Sequence, residues 1–126
     1  MTASKAHEYL QQQVCARYGS PFHPSPESTT IALPPNISDR VHPINGLRVA
    51  PHGEHNGWFI WLGDVLSQEP DYFNVQHVAH LNDLKPDILP FLGLDVGWRF
   101  LLAPGHVDVW YDASLLHSRD ALTVQW

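Results

Sequence analysis

The spacing of apolar residues predicts a helix near the amino terminus. Apolar side chains recur at every fourth position of the segment SKAHEYLQQQVCARYG, which is typical of an amphipathic helix. Ser4 is suited to cap its beginning, and Gly19 with Pro21 ends it. The predicted buried stripe consists of Ala6, Leu10, Val14 and Tyr18, with Tyr9 and Ala16 beside it.

The clearest strand pattern lies in the segment NGWFIWLGD. Residues 57–62 are apolar on both alternating faces, with Trp58, Ile60 and Leu62 on one face and Phe59 and Trp61 on the other. A strand that buries both faces belongs in the middle of a sheet, so we expect a central position.

Shorter patterns predict the remaining elements. The runs TTIAL and LRVA predict strands at residues 29–33 and 47–50, with Asn45-Gly46 as a turn before the second. Residues 67–73 are compatible with a turn or a short helix, and PDILPFLG predicts a helix from Pro86 that stops at Gly93, after a short turn to Leu84. The segment GWRFLLAPGHVDVWYD predicts a β-hairpin, and LTVQW predicts a last strand; their bounds are 98–103, 106–112 and 122–126.

These elements predict an α+β fold: a single domain over residues 1–126, with a mainly antiparallel sheet, an N-terminal helix and a mid-chain helix. We expect three tryptophans in apolar strands to carry the core, namely Trp58, Trp98 and Trp110. Arg99 lies in the apolar run WRFLL and needs a partner for its charge, which Asp108 or Asp112 on the second hairpin strand can supply.

Charge and composition limit the classes of partner. The formal net charge is −6, and the acidic residues are scattered rather than clustered in one run. Nucleic acids and anionic membranes bind basic surfaces, so we expect neither as a direct partner. The acidic balance remains compatible with a basic protein partner.

Cysteine usage and hydropathy indicate a cytoplasmic protein. Cys15 is the one cysteine of the chain, which excludes an intramolecular disulfide and a cysteine-rich zinc site. A free thiol is compatible with a reducing compartment. The sequence opens with no charged and then apolar leader, and no apolar run approaches about twenty residues, the length of a membrane span.

Two H-x-x-H pairs raise the question of a metal site. His52 and His55 form one pair and His77 and His80 the other, and two such pairs have the ligand types that zinc prefers. Nine histidines make this spacing common by chance, and neither pair contains the Glu of an H-E-x-x-H helix. We therefore interpret them as structural residues and expect no metal and no other cofactor.

No motif of the sequence requires enzymatic chemistry. There is no G-x-S-x-G elbow, no phosphate-binding glycine loop and no dinucleotide fingerprint. Asp108 and Asp112 are about 13 Å apart along a strand, which is too far for a glycosidase carboxylate pair. Cys15 lies in a predicted helix on a half-buried face, where a structural role is the simpler interpretation. We do not expect an enzyme.

Several aromatic motifs together resemble a known family. The motifs are NGWFIWLGD, DYFNVQHVAHL, PFLGLDVGWRFLLAPG and VDVWYDASLL, with PINGLR before them, and they cover about residues 43–116. Their order is similar to that of the immunity-protein family thirty-three-like group, found in bacterial polymorphic-toxin, contact-dependent and secretion-system effector pairs. The resemblance implies a small cytoplasmic antitoxin that binds and blocks one cognate toxin. It implies no catalytic residue.

Partner choice on a shared scaffold is expected in loops, because the aromatic motifs build the fold. The loops PHGEHNG and GDVLSQEPDY flank the central strand and are rich in acids and histidine. The candidate partner-binding residues are Glu54, Asp64, Glu69, Asp71 and Tyr72. If the toxin is a nuclease, its basic active site would attract these carboxylates.

Two other functions remain open at this point. One is a small metal-binding or hydrolytic enzyme that uses His52, His55, His77 and His80. The other is an adaptor that binds an effector without inhibiting it. Metal content separates the first from an immunity protein, and growth rescue on co-expression separates the second.

Overall fold

A six-stranded sheet forms the middle of the computed structural model, which describes residues 3–117. The strand order is β4-β1-β3-β2-β5-β6; β1 and β3 are parallel, and the other neighbours are antiparallel. The strands are β1 (Thr30–Leu33), β2 (Ile44–Arg48), β3 (His55–Leu62), β4 (Asn74–His77), β5 (Trp98–Ala103) and β6 (His106–Tyr111). The helices are α1 (Ala3–Tyr18) and α2 (Leu81–Leu84), with 3-10 helices at Val78–His80, Pro86–Phe91 and Ala113–His117. The predicted α+β class, with an N-terminal and a mid-chain helix, is confirmed.

Strand β3 is the centre of the sheet, as its pattern predicts, and all eight of its residues are buried. Trp58, Ile60 and Leu62 lie on one face, which we call the first face, where α1 and the helices around residues 81–92 cover them. Phe59 and Trp61 lie on the second face. That face is covered by fewer groups, namely Leu66, Tyr72, Phe73 and Leu115.

Helix α1 is turned away from its predicted stripe. Leu10 is 46% exposed, whereas Gln11 and Cys15 are buried. The reason is polar: the Gln11 amide donates to the Leu89 carbonyl at 3.0 Å, and the Cys15 thiol donates to the Gly93 carbonyl at 3.2 Å. These two hydrogen bonds orient the helix on the first face. Burial also raises the pKa of the Cys15 thiol, which therefore stays protonated.

The predicted turn at Asn45-Gly46 is wrong, because both residues lie inside β2. The Phe100 ring occupies the space into which a side chain at Gly46 would project. The Asn45 amide donates to the Gly63 carbonyl at 2.8 Å. Asn and Gly both favour turns, but here Gly46 is needed because Phe100 fills the adjacent space, and Asn45 is needed for its hydrogen bond to Gly63.

Other predictions differ from the structure in length or type. Residues 67–73 form turns without a helix, and β4 follows where no strand was predicted. Of the strand expected at 47–50, only Leu47 and Arg48 lie in a strand, at the end of β2, which begins earlier at Ile44. The hairpin of β5 and β6 is confirmed. The strand expected at residues 122–126 lies outside the described residues.

The three tryptophans differ in burial. Trp58 is fully buried and Trp98 is half-buried, but Trp110 is 36% exposed, so its predicted core role is wrong. Trp110 lies on the outermost strand, where the Arg99 guanidinium covers its ring at 5.3 Å from the centroid. Arg99 also pairs with Asp112 at 3.3 Å, which confirms one of its two expected partners.

Arg48 is the charged residue that the sequence patterns did not single out. It is 1% exposed, and no carboxylate pairs with it among the described residues. Its guanidinium instead donates to backbone carbonyls and lies 5.6 Å from the centre of the Trp58 ring. The accepting carbonyls belong to Asn56 at 2.9 Å, His23 at 2.7 Å, Leu94 at 2.8 Å, Leu92 at 3.3 Å and Pro24 at 3.4 Å.

These carbonyls lie on three separate segments: strand β3, the connector after α1 and the end of the mid-chain helix. Burial lowers the pKa of Arg48 to about 10, and the nearby charge of Asp95 partly offsets this effect. The residue therefore remains charged at neutral pH. A charged donor forms stronger hydrogen bonds than a neutral one, so a single side chain holds all three segments together.

The His55 side chain supports the beginning of β3. Its Nδ1 accepts a hydrogen bond from the Gly57 N–H at 3.0 Å, and its ring lies 5.3 Å from that of Phe59. Burial, with a smaller effect of His52, lowers the pKa of His55 to about 4. Since Nδ1 must be unprotonated to accept, this hydrogen bond depends on the neutral ring.

Replacing Arg48 by Met is expected to lower the free energy of unfolding by about 3–5 kcal/mol, because several buried carbonyls lose their donor at once. Arg48→Lys keeps the charge but not the branched donor group, so we expect an intermediate loss. Urea unfolding at neutral pH measures both. A loss below about 1 kcal/mol for Arg48→Met would contradict the role of this residue.

Stability is expected to fall as the pH is lowered from about 6.5 to about 4. Unfolded His55 binds a proton near its ordinary pKa of 6.5, whereas the folded residue binds one only near about 4. Protons therefore favour unfolding across this window, by up to about 3 kcal/mol. Thermal unfolding at several pH values measures the effect.

The matched variant for this test is His55→Asn. An Asn side chain can accept the N–H two residues ahead of it but does not titrate. Its loss of stability between pH 6.5 and 4 should be smaller than that of the wild type. Equal losses would assign the acid sensitivity to other groups.

Candidate functional site

Three connections meet at the carboxyl end of β3. Ile44 at the start of β2 pairs with Leu62 and with Leu102, and Leu33 at the end of β1 pairs with Asn74. These registers bring segments 34–43, 63–73 and 104–105 to the same end of the sheet. Loops gathered on one end of a rigid sheet are a common location for binding residues.

Segment 63–73, which we call the acidic loop, carries four of the five predicted residues, namely three acids and Tyr72. Asp64, Glu69 and Asp71 are all exposed, and the loop contains no Lys or Arg. Glu54 is also exposed but precedes β3, so it lies at the opposite end of that strand. Eight strand residues separate the two ends, a distance of about 26 Å. The structure thus groups three carboxylates and places the fourth apart.

Tyr72 serves mainly to hold the acidic loop on the sheet. Its ring packs edge-on against Phe73 at 5.0 Å between centroids, and Phe73 packs likewise against Phe59 at 5.2 Å. Leu66 adds a further apolar contact on the second face. Burial raises the pKa of the Tyr72 hydroxyl. Its half-buried position leaves one side of the residue available to a partner.

The beginning of the loop is held by backbone hydrogen bonds. The Gly63 N–H donates to the Pro43 carbonyl at 2.9 Å, in addition to the bond from Asn45 to the Gly63 carbonyl. Farther along, the Ser67 hydroxyl accepts from the Glu69 N–H at 3.1 Å, and the Tyr72 N–H donates to the Glu69 carbonyl at 3.2 Å. The carboxylates are therefore presented from a loop that is anchored at its beginning and braced by internal hydrogen bonds farther along.

Val65 is a candidate that the sequence patterns did not identify. It is 81% exposed between Asp64 and Leu66, and Leu66 packs on the sheet. An apolar side chain that faces water beside three carboxylates resembles the centre of an interface with a polar rim. The available signal was the apolar pair Val65-Leu66 in a loop with three acids, but only the partial burial of Leu66 determines which of the two side chains is exposed.

The two histidine pairs lie at the other end of the sheet. Thr30 of β1 pairs with His55 on one side and with His77 on the other, so one strand separates the pairs. His77 and His80 are 6.0 Å apart between ring centroids, and Nδ1 of His80 lies 2.9 Å from the Gln76 side-chain oxygen. Within residues 3–117, no group of three or more His, Cys, Asp or Glu is arranged to hold a metal ion.

A cavity of about 50 Å³ lies between α1 and the connector at residues 24–27. Its lining includes His7, Glu8, Gln11 and Ser25. This volume accommodates a few water molecules. Within the part of the chain that is described, no helix has the length and apolar character needed to cross a membrane.

Comparison with known families agrees with the motifs. The family model of the Imm33-like domain matches residues 10–112, from the middle of α1 to the end of the β5–β6 hairpin. Neither the curated proteins nor the solved structures contain a match to the chain. The matched region includes the central strand, the acidic loop and Arg48. The resemblance inferred from the aromatic motifs is confirmed, and the chain belongs to the Imm33-like domain family.

Proposed function

We propose that the protein is an immunity protein that binds a cognate bacterial toxin and neutralises it in a stoichiometric complex. The observation that carries this proposal is the family match over residues 10–112. Family membership favours a binding role over catalysis. The proposed mechanism is occlusion of the toxin's active site or of the surface beside it. The proposed compartment is the cytoplasm, where a free thiol such as that of Cys15 stays reduced.

The acidic loop is the proposed centre of the interface. Its three carboxylates are exposed, have no ion-pair partner among the described residues and add to a chain of net charge −6. Such a surface attracts a basic partner and accelerates encounter. A nuclease, whose active site binds phosphate, has a surface of this type. The carboxylates then occupy the positions where the phosphates of its substrate would bind.

Val65 supplies the apolar contact of this interface, and Tyr72 helps to hold the loop on the sheet. Carboxylates at a rim mainly set the association rate, whereas a buried apolar anchor mainly sets the dissociation rate. A standard interface of about 800 Å² per partner is wide enough to reach both ends of β3. Glu54 is therefore included in the proposed interface as its distant edge.

Rescue of growth is the first test of the proposal. The protein is co-expressed with the toxin encoded beside it, and the purified pair is tested for a complex and for loss of toxin activity. Survival together with inhibition supports an immunity protein. A complex in which the toxin stays active would instead identify an adaptor.

The triple variant Asp64→Asn, Glu69→Gln and Asp71→Asn is expected to slow association with the toxin by about tenfold or more at low salt. The effect should shrink as salt is raised, because surface charges are screened within about 8 Å at physiological ionic strength. Stopped-flow or surface-based kinetics at two salt concentrations measure it. Melting temperatures should stay close to that of the wild type.

The control for this variant removes the same amount of charge elsewhere. Glu8, Asp83 and Asp87 are exposed and lie outside the acidic loop. Neutralising them by Gln or Asn also reduces the formal net charge from −6 to −3. The control should associate clearly faster than the loop variant. Equal rates would show that only the net charge matters, and wild-type rates for the loop variant would place the interface elsewhere. The association rate of Glu54→Gln, measured separately, reports whether the partner also reaches the amino end of β3.

Val65→Ser is expected to accelerate dissociation of the toxin complex at least several-fold, with little change in association or in salt dependence. The physical reason is the loss of an apolar contact that is buried only in the complex. Val75→Ser is the matched control, since Val75 is 60% exposed on β4 outside the loop. Equal dissociation rates for the two variants would remove Val65 from the interface.

A further inference from the structure

Strand β6 is an exposed sheet edge with little of the protection that edge strands usually carry. Among residues 3–117, no strand pairs with its outer side. Its six residues include no Pro, Lys or Arg, and Val107, Trp110 and Tyr111 are 47%, 36% and 49% exposed. The opposite edge, β4, has four residues. Unpaired backbone groups beside exposed apolar side chains favour pairing with another strand.

We propose that β6 pairs antiparallel with β6 of a second copy of this chain, so that two six-stranded sheets join into one. A twofold axis perpendicular to the sheet keeps each face continuous, and it requires residues of the same face to oppose each other. Only two such registers pair five residues of each β6. One is centred on Asp108 and the other on Val109.

The charge pattern of β6 selects the register centred on Val109. In the register centred on Asp108, this carboxylate directly faces its own copy, and like charges in opposed positions are destabilising. In the other register, Val109 faces Val109 and Val107 faces Tyr111, so the first face gains a continuous apolar row. His106 then faces Asp112 of the second copy. Asp112 directly follows β6 and continues its pairing with the β5 side, since its N–H donates to the Gly97 carbonyl at 2.7 Å.

The second face also matches its copy in this register. Asp108 lies opposite Trp110 of the second copy, whose ring is covered by the Arg99 guanidinium. Arg99 and Trp110 are cross-strand neighbours in the hairpin, so a row of cation, ring and carboxylate runs across the proposed junction. Nε of Arg99 is buried and has no hydrogen-bond partner among residues 3–117 of the same copy. This charge complementarity is the reason for choosing a second copy as the occupant of the edge.

The junction is separate from the acidic loop. The loop leads into β4, at the opposite edge of the sheet from β6. A dimer formed through β6 therefore leaves both acidic loops exposed and carries two toxin-binding surfaces. Self-association can be tested without any toxin.

The first experiment measures the mass of the full-length chain by sedimentation equilibrium over a wide concentration range. We expect a reversible monomer–dimer equilibrium for the wild type. Val107→Lys should shift it to monomer, because a Lys on the edge opposes pairing. Val75→Lys, on the opposite edge, should dimerise like the wild type. Circular dichroism confirms that both variants are folded.

The second experiment tests the register by mild oxidation of single-cysteine additions. Directly opposed residues of an antiparallel pair have Cα atoms about 4.5–5.5 Å apart, which is within the range for a disulfide. Val109→Cys should therefore form a covalent dimer, whereas Asp108→Cys should not. Cys15 is present in both variants and is buried.

Three outcomes would overturn the proposal. A wild type that stays monomeric at every concentration excludes the pairing. Dimerisation unaffected by Val107→Lys places the dimer contact elsewhere. Cross-linking of Asp108→Cys without that of Val109→Cys excludes the register. If the wild type is monomeric and Val107→Lys loses toxin binding, the β6 edge pairs with a strand of the toxin and not with a second copy.

Discussion

The buried guanidinium of Arg48 is the interaction on which the rest of the structure depends. It replaces a conventional salt bridge by hydrogen bonds to carbonyls from β3, from the connector after α1 and from the mid-chain helix. A buried charge is costly unless its hydrogen bonds are satisfied, so these segments have little freedom to separate. The Leu92 carbonyl also accepts hydrogen bonds from Trp58 and Ser25, which strengthens the contact between the same segments.

The hydrogen bonds around Arg48 explain why the two ends of the sheet differ. Around Arg48, at the amino end of β3, polar groups of the chain satisfy one another, and the His55 ring accepts a hydrogen bond from the Gly57 N–H. At the carboxyl end of β3, the connections are held mainly near the sheet, and their acidic side chains face water. Polar groups that are already satisfied offer little to a partner, whereas exposed carboxylates retain their full capacity to bind. The end that stabilises the fold and the end proposed for binding are therefore separate.

The two faces and two edges of the sheet divide the remaining roles. The first face is covered by helices and contains the larger core. The second face is covered in part by the acidic loop, whose Tyr72 and Phe73 side chains pack against it. The edge strand β6 exposes apolar side chains that neither core covers. In the proposed arrangement, the acidic loop binds the toxin and the β6 edge stays available for self-association.

The order of the aromatic motifs indicated the family, and the sequence by itself also determined the period-based features of this protein: the central strand, the β5–β6 hairpin and the α+β class. These depend on residues near each other in the chain, and local periodicity reports them directly. The tertiary structure decided which face of α1 is buried, the strand at Asn45-Gly46 and the exposure of Trp110. Each depends on a distant partner or on the strand order, as with Phe100 over Gly46. The separation of the three loop acids from Glu54 follows from chain order alone, whereas the meeting of segments 34–43 and 104–105 with the acidic loop follows from strand direction, which no local pattern encodes.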